Sequence, residues 1–126
     1  MPESTHAYID EARELMLLAA TSEENILGFV TMSASSKDCA EIHAMGVKKS
    51  FHRTGIGKQL FQALEAYAAR DYIYMQVKTV DEGHYPEYDQ TIAFYNEMGF
   101  AKLEVFPNLW DEWNPCLVMV KKIEKQ

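Results

Sequence analysis

Cysteine is scarce in this sequence: only Cys39 and Cys116, each in a strand-like context. Neither lies in a CxxC pair or at metal-ligand spacing, so a disulfide framework, a zinc module and a bound metal are all excluded as expectations. Reduced core thiols in a cytoplasmic protein are expected instead. Positive charge is also in the minority, with 12 Lys and Arg against 19 Asp and Glu, for a formal net charge of -7. That balance argues against general nucleic-acid binding, which depends on a basic face neutralising phosphates. No apolar run approaches the length of a membrane span. The opening "MPESTHAYIDEARE" is polar and acidic, unlike a signal or transit peptide. Repeats, low-complexity tracts and linkers are absent, and proline is limited to four residues.

What is present is 48% hydrophobic residues in 126, enough for one compact domain over residues 1–126 with its own core. Residues 3–14 are predicted to form a short helix capped by Ser4 or Thr5. "ELMLLAA" and "ILGFVTMSAS" read as strands, and "CAEIHAMGV" as a third. In that third strand Glu41, His43, Met45 and Val47 are expected on one side of the pleat, Ile42 and Ala44 on the other. Gly46 signals a bulge or a close backbone approach. A helix of about four turns follows "KKSFHRTGIG", with Ile56, Leu60, Phe61, Leu64 and Tyr67 at core-facing spacing. "YIYMQVKTV" is a strand, "DEGHYPEYD" a loop, and "QTIAFYNEM" a helix ended by Gly99. "FAKLEVF" and "PCLVMVKKI" are the last strands, joined by the loop "PNLWDEWN". The order α-β-β-β-α-β-α-β-β is a mixed α/β (α+β) arrangement. Its sheet should be mostly antiparallel around one central parallel β-α-β crossover.

Two glycines one residue apart, Gly55 and Gly57, open the first long helix, with Lys48, Lys49, His52, Arg53 and Lys58 around them. A nucleoside-triphosphate loop needs glycine where His52 stands and Ser or Thr where Gln59 stands. A dinucleotide fingerprint needs glycine at Leu60. The remaining reading is a strand, a basic loop, G-x-G and a helix N-terminus whose free N–H groups and dipole suit an anion. The competing reading is a glycine turn with solvated lysines.

The segments "EIHAMGVKKSFHRTGIGKQL" and "TIAFYNEMGF" together resemble the GNAT superfamily of acyl-CoA-dependent N-acetyltransferases. The first resembles that family's Q/R-x-x-G-x-G/A cofactor motif, and the second its helix motif with an aromatic pair before x-x-x-G-F. The likeness covers roughly residues 13–122. "QVKT", "FYNEMGF", the tryptophan and "NPCLVMVK" together also resemble a group of bacterial members. Two motif positions differ: His52 replaces the usual Gln or Arg, and Tyr88 stands where many members carry Asn. The family normally begins with a strand and two helices, so a shortened N-terminal part is expected.

The resemblance implies acetyl-CoA as acyl-donor cosubstrate. Its pyrophosphate would be held by the loop His52, Arg53, Thr54, Gly55, Ile56, Gly57 and Lys58, and its pantetheine by the main chain of Met45 and Val47. It also implies transfer to a primary amine of a small molecule or protein. An alkylamine has a pKa near 10.4, so the reaction needs proton removal, oxyanion stabilisation and a donor to the departing thiolate. The last role falls by resemblance to Tyr95, whose alternative is simple packing. For the base, Glu41 lies fourteen residues before Gly55, as in the histone-acetylating branch of the family. His43 is the alternative, because a histidine needs less tuning to accept a proton at neutral pH. Asp81, Glu82 and Trp110 are candidate acceptor contacts, through charge and cation–π attraction for an ammonium. They can equally be an ordinary solvated loop and a hairpin anchor. A second class of function stays open: a non-catalytic acyl-CoA-binding module, sensor or subunit. Uncovered apolar sheet surface would favour a homodimer.

Overall fold

The computed structural model describes residues 4–10, 15–22 and 25–124. Seven strands form one sheet in the order β1-β2-β3-β4-β5-β7-β6. They are β1 (Ser4–Asp10), β2 (Leu15–Ser22), β3 (Asn25–Ala34), β4 (Cys39–Val47), β5 (Tyr74–Val80), β6 (Ala101–Asp111) and β7 (Asn114–Lys122). Helix α1 (Ile56–Ala68) joins β4 to β5 across the only parallel pair among the described strands, and α2 (Pro86–Glu97) joins β5 to β6. Every other pairing is antiparallel.

Why α1 is a helix follows from its pattern. Ile56, Leu60, Phe61, Leu64 and Ala68 all turn to one face and are buried. That face packs on β2, β3 and β4, where Ala20, Val30 and Ile42 are buried beneath it. Tyr67, expected in the same row, is only half-buried at its rim. Helix α2 has a narrower apolar stripe and is anchored by Ile92 and Tyr95, with Met98 and Phe100 just beyond its end. Lys121 of β7 fastens the two helices: its Nζ donates to the Met98 carbonyl (2.7 Å) and pairs with Glu65 of α1 (3.0 Å).

Several local expectations need correcting. Residues 4–10 are a strand, not a capped helix, paired with β2 from Ser4↔Thr21 to Asp10↔Leu15. Thr5, Tyr8 and Ile9 favour an extended chain, and the β2 edge supplies the ladder. The remainder of the expected helix, residues 3 and 11–14, lies outside the described residues. Helix α2 starts at Pro86, inside the expected loop, because proline suits the first helical position and Glu87 and Asp89 complement the dipole. Strand β6 runs on through the expected loop to Asp111; Pro107 is tolerated because β6 is the sheet's edge.

The bulge is the correction that matters for function. Thr31 pairs with Ala44 but Met32 pairs with Ile42, so His43 is the extra residue of β4. Of the two readings of Gly46, a bulge or a close approach, the second holds, and the approach is made by a side chain. A Cβ there would sit 2.8 Å from the Phe29 ring.

Candidate active site

Parallel strands β4 and β5 are paired only from Cys39↔Tyr74 to Ile42↔Val77. Beyond that point β4 continues beside β3 to Val47, and β5 continues beside β7 to Val80. The two strands therefore part at their C-terminal ends, and α2 spans the opening. Two cavities meet there. The larger, about 820 Å³, lies between the β4 end, the α1 N-terminus and α2; the smaller, about 600 Å³, lies between β4, β5, α2 and the β6–β7 hairpin. Met45, Thr91 and Tyr95 line both.

The larger cavity collects most of the residues expected at the glycine loop. Met45, Val47, His52, Arg53, Gly55, Gly57 and Lys58 line it, and Thr54 and Ile56 do not. Ile56 belongs to the core, and the Thr54 hydroxyl donates to the Phe51 carbonyl to close the turn. His52 is likewise partly committed, its Nε2 donating to the Val47 carbonyl (2.8 Å). The loop holds two left-handed residues, Arg53 (φ 63°) and Gly55 (φ 89°). For arginine that conformation costs roughly 1–2 kcal/mol, a strain typical of loops shaped for a ligand. Gly55 is also the N-cap of α1, with no side-chain cap and no acid in the first turn. The opening N–H groups of α1 have no intrahelical acceptors and face no carboxylate of their own turn. Gly57 keeps the channel open: a Cβ there would come within 3.2 Å of the Phe94 ring and 3.6 Å of Met45 Cε.

Tyr95 is buried, 3% exposed, at the junction. Its ring packs edge-on against Phe94 and Phe100, with centroids 5.4 and 5.2 Å away. Among the described residues its hydroxyl meets only a sulfur, Met45 Sδ, at 3.8 Å. Burial pushes the phenol up to about 12 from its ordinary value near 10.

In the smaller cavity the expectations divide. His43, Trp110 and Tyr95 line it; Glu41, Asp81 and Glu82 do not. Glu41 is held in a polar cluster, accepting from Gln76 Nε2 (2.8 Å) and Ser35 Oγ (3.0 Å) and pairing with Lys78 at 3.5 Å. Burial alone would raise its pKa, but the Gln76 and Ser35 hydrogen bonds and the charges of Lys78 and His43 outweigh it and hold the carboxyl below its ordinary value. A carboxylate so stabilised is a weak proton acceptor. Glu82 is exposed and ion-paired with Lys102. The Asp81 N–H donates to Pro115, fixing the exit of β5.

Sequence reasoning missed several groups of this cavity, chiefly Lys78, Thr79 and Tyr88. The available signal was topological: in open α/β sheets ligands gather beyond the carboxyl ends of parallel strands, and Lys78 and Thr79 lie there on β5. Tyr88, Thr91 and Tyr95 follow helical spacing on α2, a pattern hidden when the start of α2 is read as loop. Asp111 is an organiser of the hairpin turn; its carboxylate accepts from the Trp113 and Asn114 N–H groups and from Asn114 Nδ2. Thr79 Oγ1 is the one buried side-chain polar atom without a hydrogen-bond partner among the described residues. No group of three His, Cys, Asp or Glu among the described residues is placed to hold a metal ion. None of their helices is long and apolar enough to cross a membrane.

Comparison with known proteins fits this geometry. Residues 1–100 match the family described as the acetyltransferase (GNAT) family. A GNAT family acetyltransferase from Elizabethkingia anophelis with acetyl-CoA bound superposes with a TM-score of 0.79 at 14% identity, covering 94% of this chain and 97% of that one. An aminoglycoside 6'-N-acetyltransferase in complex with coenzyme A gives 0.74 at 22% identity, over 90% and 75% of the two chains. The ribosomal-protein-S18-alanine N-acetyltransferase of Escherichia coli gives 0.70 at 16% identity, over 90% and 72%. At these identities the superpositions establish a shared fold.

Proposed function

We propose, from the premise that the chain belongs to the GNAT acetyltransferase family, that this acetyl-CoA-dependent N-acetyltransferase works across the junction of its two cavities. The larger cavity takes the cosubstrate and the smaller takes a primary amine of a small molecule or protein. The observation that carries this reading is that Tyr95 and Met45 line both cavities. A module that only bound acyl-CoA would need the larger cavity alone, so the second cavity supports the enzyme over the sensor or subunit.

The residues of the larger cavity fit a cosubstrate with a pyrophosphate. Arg53 and Lys58 supply positive charge, and the uncapped start of α1 supplies N–H donors to an anion. We assign the loop from His52 to Lys58 to that role, Thr54 and Ile56 through the main chain only. Past its last pair with β5, β4 has main-chain groups free of β5 at Met45 and Val47, where an extended ligand arm can lie along the strand. Acetyl-CoA, when bound, supplies the activated thioester; the chain's own groups orient it and manage protons. Tyr95 Oη donates its hydrogen toward the departing sulfur, and its high pKa keeps that hydrogen in place through the neutral range.

A proton must also leave the amine. At pH 7 an ordinary alkylammonium is mostly protonated, a handicap of roughly 5 kcal/mol. Of the two candidate bases the geometry favours His43, which lines the acceptor cavity, over Glu41, which does not and whose pKa is lowered. Glu41 then serves as a nearby negative charge that supports a protonated His43. Trp110, 46% exposed on the cavity wall, offers an indole face to the acceptor's ammonium. Asp81 and Glu82 are assigned to longer-range attraction of a cationic acceptor, which salt weakens.

Further parts of the reading rest on the fold as a whole. Residues 1–126 act as one acyl-CoA-binding domain. The edge strand β6 exposes Leu103, Val105, Phe106 and Leu109, apolar surface that a second copy would cover in a homodimer. The free Cys39 and Cys116 suit the reducing cytoplasm, and the -7 charge suits neither nucleic acid nor an anionic membrane surface as partner. The test is a thiol-release assay with acetyl-CoA over butylamine, glucosamine, spermidine and a lysine peptide. Release that depends on one of these amines supports the reading; acetyl-CoA binding without amine-dependent release from any wider panel would return it to the binding module.

A further inference from the structure

The bulge that frees His43 from pairing with β3 also sets where its ring goes. Ser33 pairs with Glu41 across the β3–β4 ladder, so their side chains share a face. The His43 ring lies on that face too, its Nε2 hydrogen-bonded to Ser33 Oγ. A hydroxyl can donate or accept, and the chemistry of the ring decides between the two. When the imidazole takes up a proton both ring nitrogens become donors, so Ser33 must then accept. Only an Nε2–H that points at Ser33 in the neutral ring as well allows protonation with no rearrangement. Nδ1 is then the nitrogen that carries the lone pair.

We infer that Ser33 is a positioning residue for the proton transfer: its hydroxyl accepts from His43 Nε2–H and presents Nδ1, unprotonated, to the acceptor amine. The proton that leaves the amine nitrogen arrives at Nδ1, and the positive charge formed there is met by the Ser33 oxygen and by Glu41. That arrangement is built before the reaction, which is how fixed dipoles and charges lower a barrier. Glu41 stays ionised because Gln76, Ser35 and Lys78 hold it so. The other titratable groups facing the same cavity are Lys78 from β5, Tyr88 and Tyr95 from α2, and Asp111 from β6. Lys78 is the one that opposes a positive His43, and its pairing with Glu41 moderates this.

The inference rests on His43 being the base, and the two are separable. Nitrogen-15 NMR of the histidine rings in the full-length protein reads the tautomer without any acceptor. The neutral His43 ring should carry its hydrogen on Nε2; a ring protonated on Nδ1 overturns the inference. In kinetics, with acetyl-CoA and whichever of butylamine, glucosamine, spermidine and a lysine peptide reacts fastest, Ser33→Ala should lower kcat roughly tenfold. The KM for acetyl-CoA should not change. The acid limb of the kcat profile should move to lower pH, since the imidazolium loses an acceptor, and Ser33→Thr should restore both. A wild-type rate and pH profile in Ser33→Ala beside an impaired His43→Gln sinks the Ser33 role alone. Full activity in His43→Gln sinks the base assignment and with it this inference.

Discussion

Replacing Tyr95 with phenylalanine removes one oxygen from the junction of the cavities and little else. The ring keeps its packing against Phe94 and Phe100, and the lost contact is a single long approach to Met45 Sδ, 3.8 Å. The variant should therefore fold with a stability within about 1 kcal/mol of the parent. Catalysis should respond far more. A positioned acid contributes about 10²–10⁴-fold. In the proposed donor role the phenol, pushed up to about 12, would serve a thiolate whose conjugate acid has an ordinary pKa of about 8.5. Complete proton transfer is thus uphill by roughly 5 kcal/mol, and the hydroxyl acts mainly by hydrogen-bonding the sulfur as charge builds on it. That places the expected loss in kcat at the lower end, about a hundredfold. The assay is steady-state thiol release beside calorimetric acetyl-CoA binding and thermal unfolding of the same samples. The sign of the pKa shift adds a second readout. A phenol raised in the folded state contributes stability fully below pH 10 that is lost as pH rises toward 12, and Tyr95→Phe should flatten that alkaline decline. A variant that binds acetyl-CoA and keeps kcat within twofold of the parent would refute the donor role.

Gly57→Ala should leave stability within about 1 kcal/mol, because the gain in helix propensity offsets a 3.2 Å contact with Phe94. Acetyl-CoA affinity in calorimetry should still fall at least about tenfold as the Cβ narrows the channel. Gly55→Ala should cost stability instead: its φ of 89° strains a side chain, by roughly 1–2 kcal/mol in denaturant unfolding, although no protein atom lies within 4 Å of the added Cβ. Glu41→Gln should be less stable than the parent at pH 7, and the difference should shrink as pH falls below about 4.5 through the lowered pKa of the native carboxyl, because stability tied to a depressed carboxylate is lost on protonation. A gap that persisted at pH 2 in thermal unfolding would contradict the charge-based account. Thr79→Val replaces a buried, unpartnered hydroxyl with a methyl group and should raise stability by about 1 kcal/mol; a clear loss would mean that the hydroxyl has a structural partner.

The parts of the site written in local sequence were legible. The G-x-G loop announced itself because a second glycine inside the first helical turn is costly unless something approaches closely, and the cavity beside Gly57 is that space. The place of Tyr95 on α2 was legible through its motif, and the parallel crossover through the alternation of strand, helix and strand. What escaped depends on pairing between distant residues. Whether Ser4–Asp10 forms a helix or a strand is settled by the free edge of β2. The bulge at His43 arises from the register of β3, which no composition rule reveals, and Gly46 drew the expectation because glycine is the visible cue. Glu41 and His43 looked equivalent on one strand face. Only the partners from β3, the turn after it and β5 separate them, Ser33 for the histidine and Ser35, Gln76 and Lys78 for the carboxylate. The acidic run after β5 looked like an acceptor trap, yet Asp81 and Glu82 lie outside the cavity, whose charges include Lys78 instead.

The measurement that bears most directly on the central claim is acetyl-CoA titration of the wild-type protein in a calorimeter, run beside thiol release with butylamine, glucosamine, spermidine and a lysine peptide. Two cavities joined at Tyr95 predict saturable acetyl-CoA binding and thiol release that requires one of the amines. No heat of binding, or thiol release at the same rate with and without every amine, would contradict it.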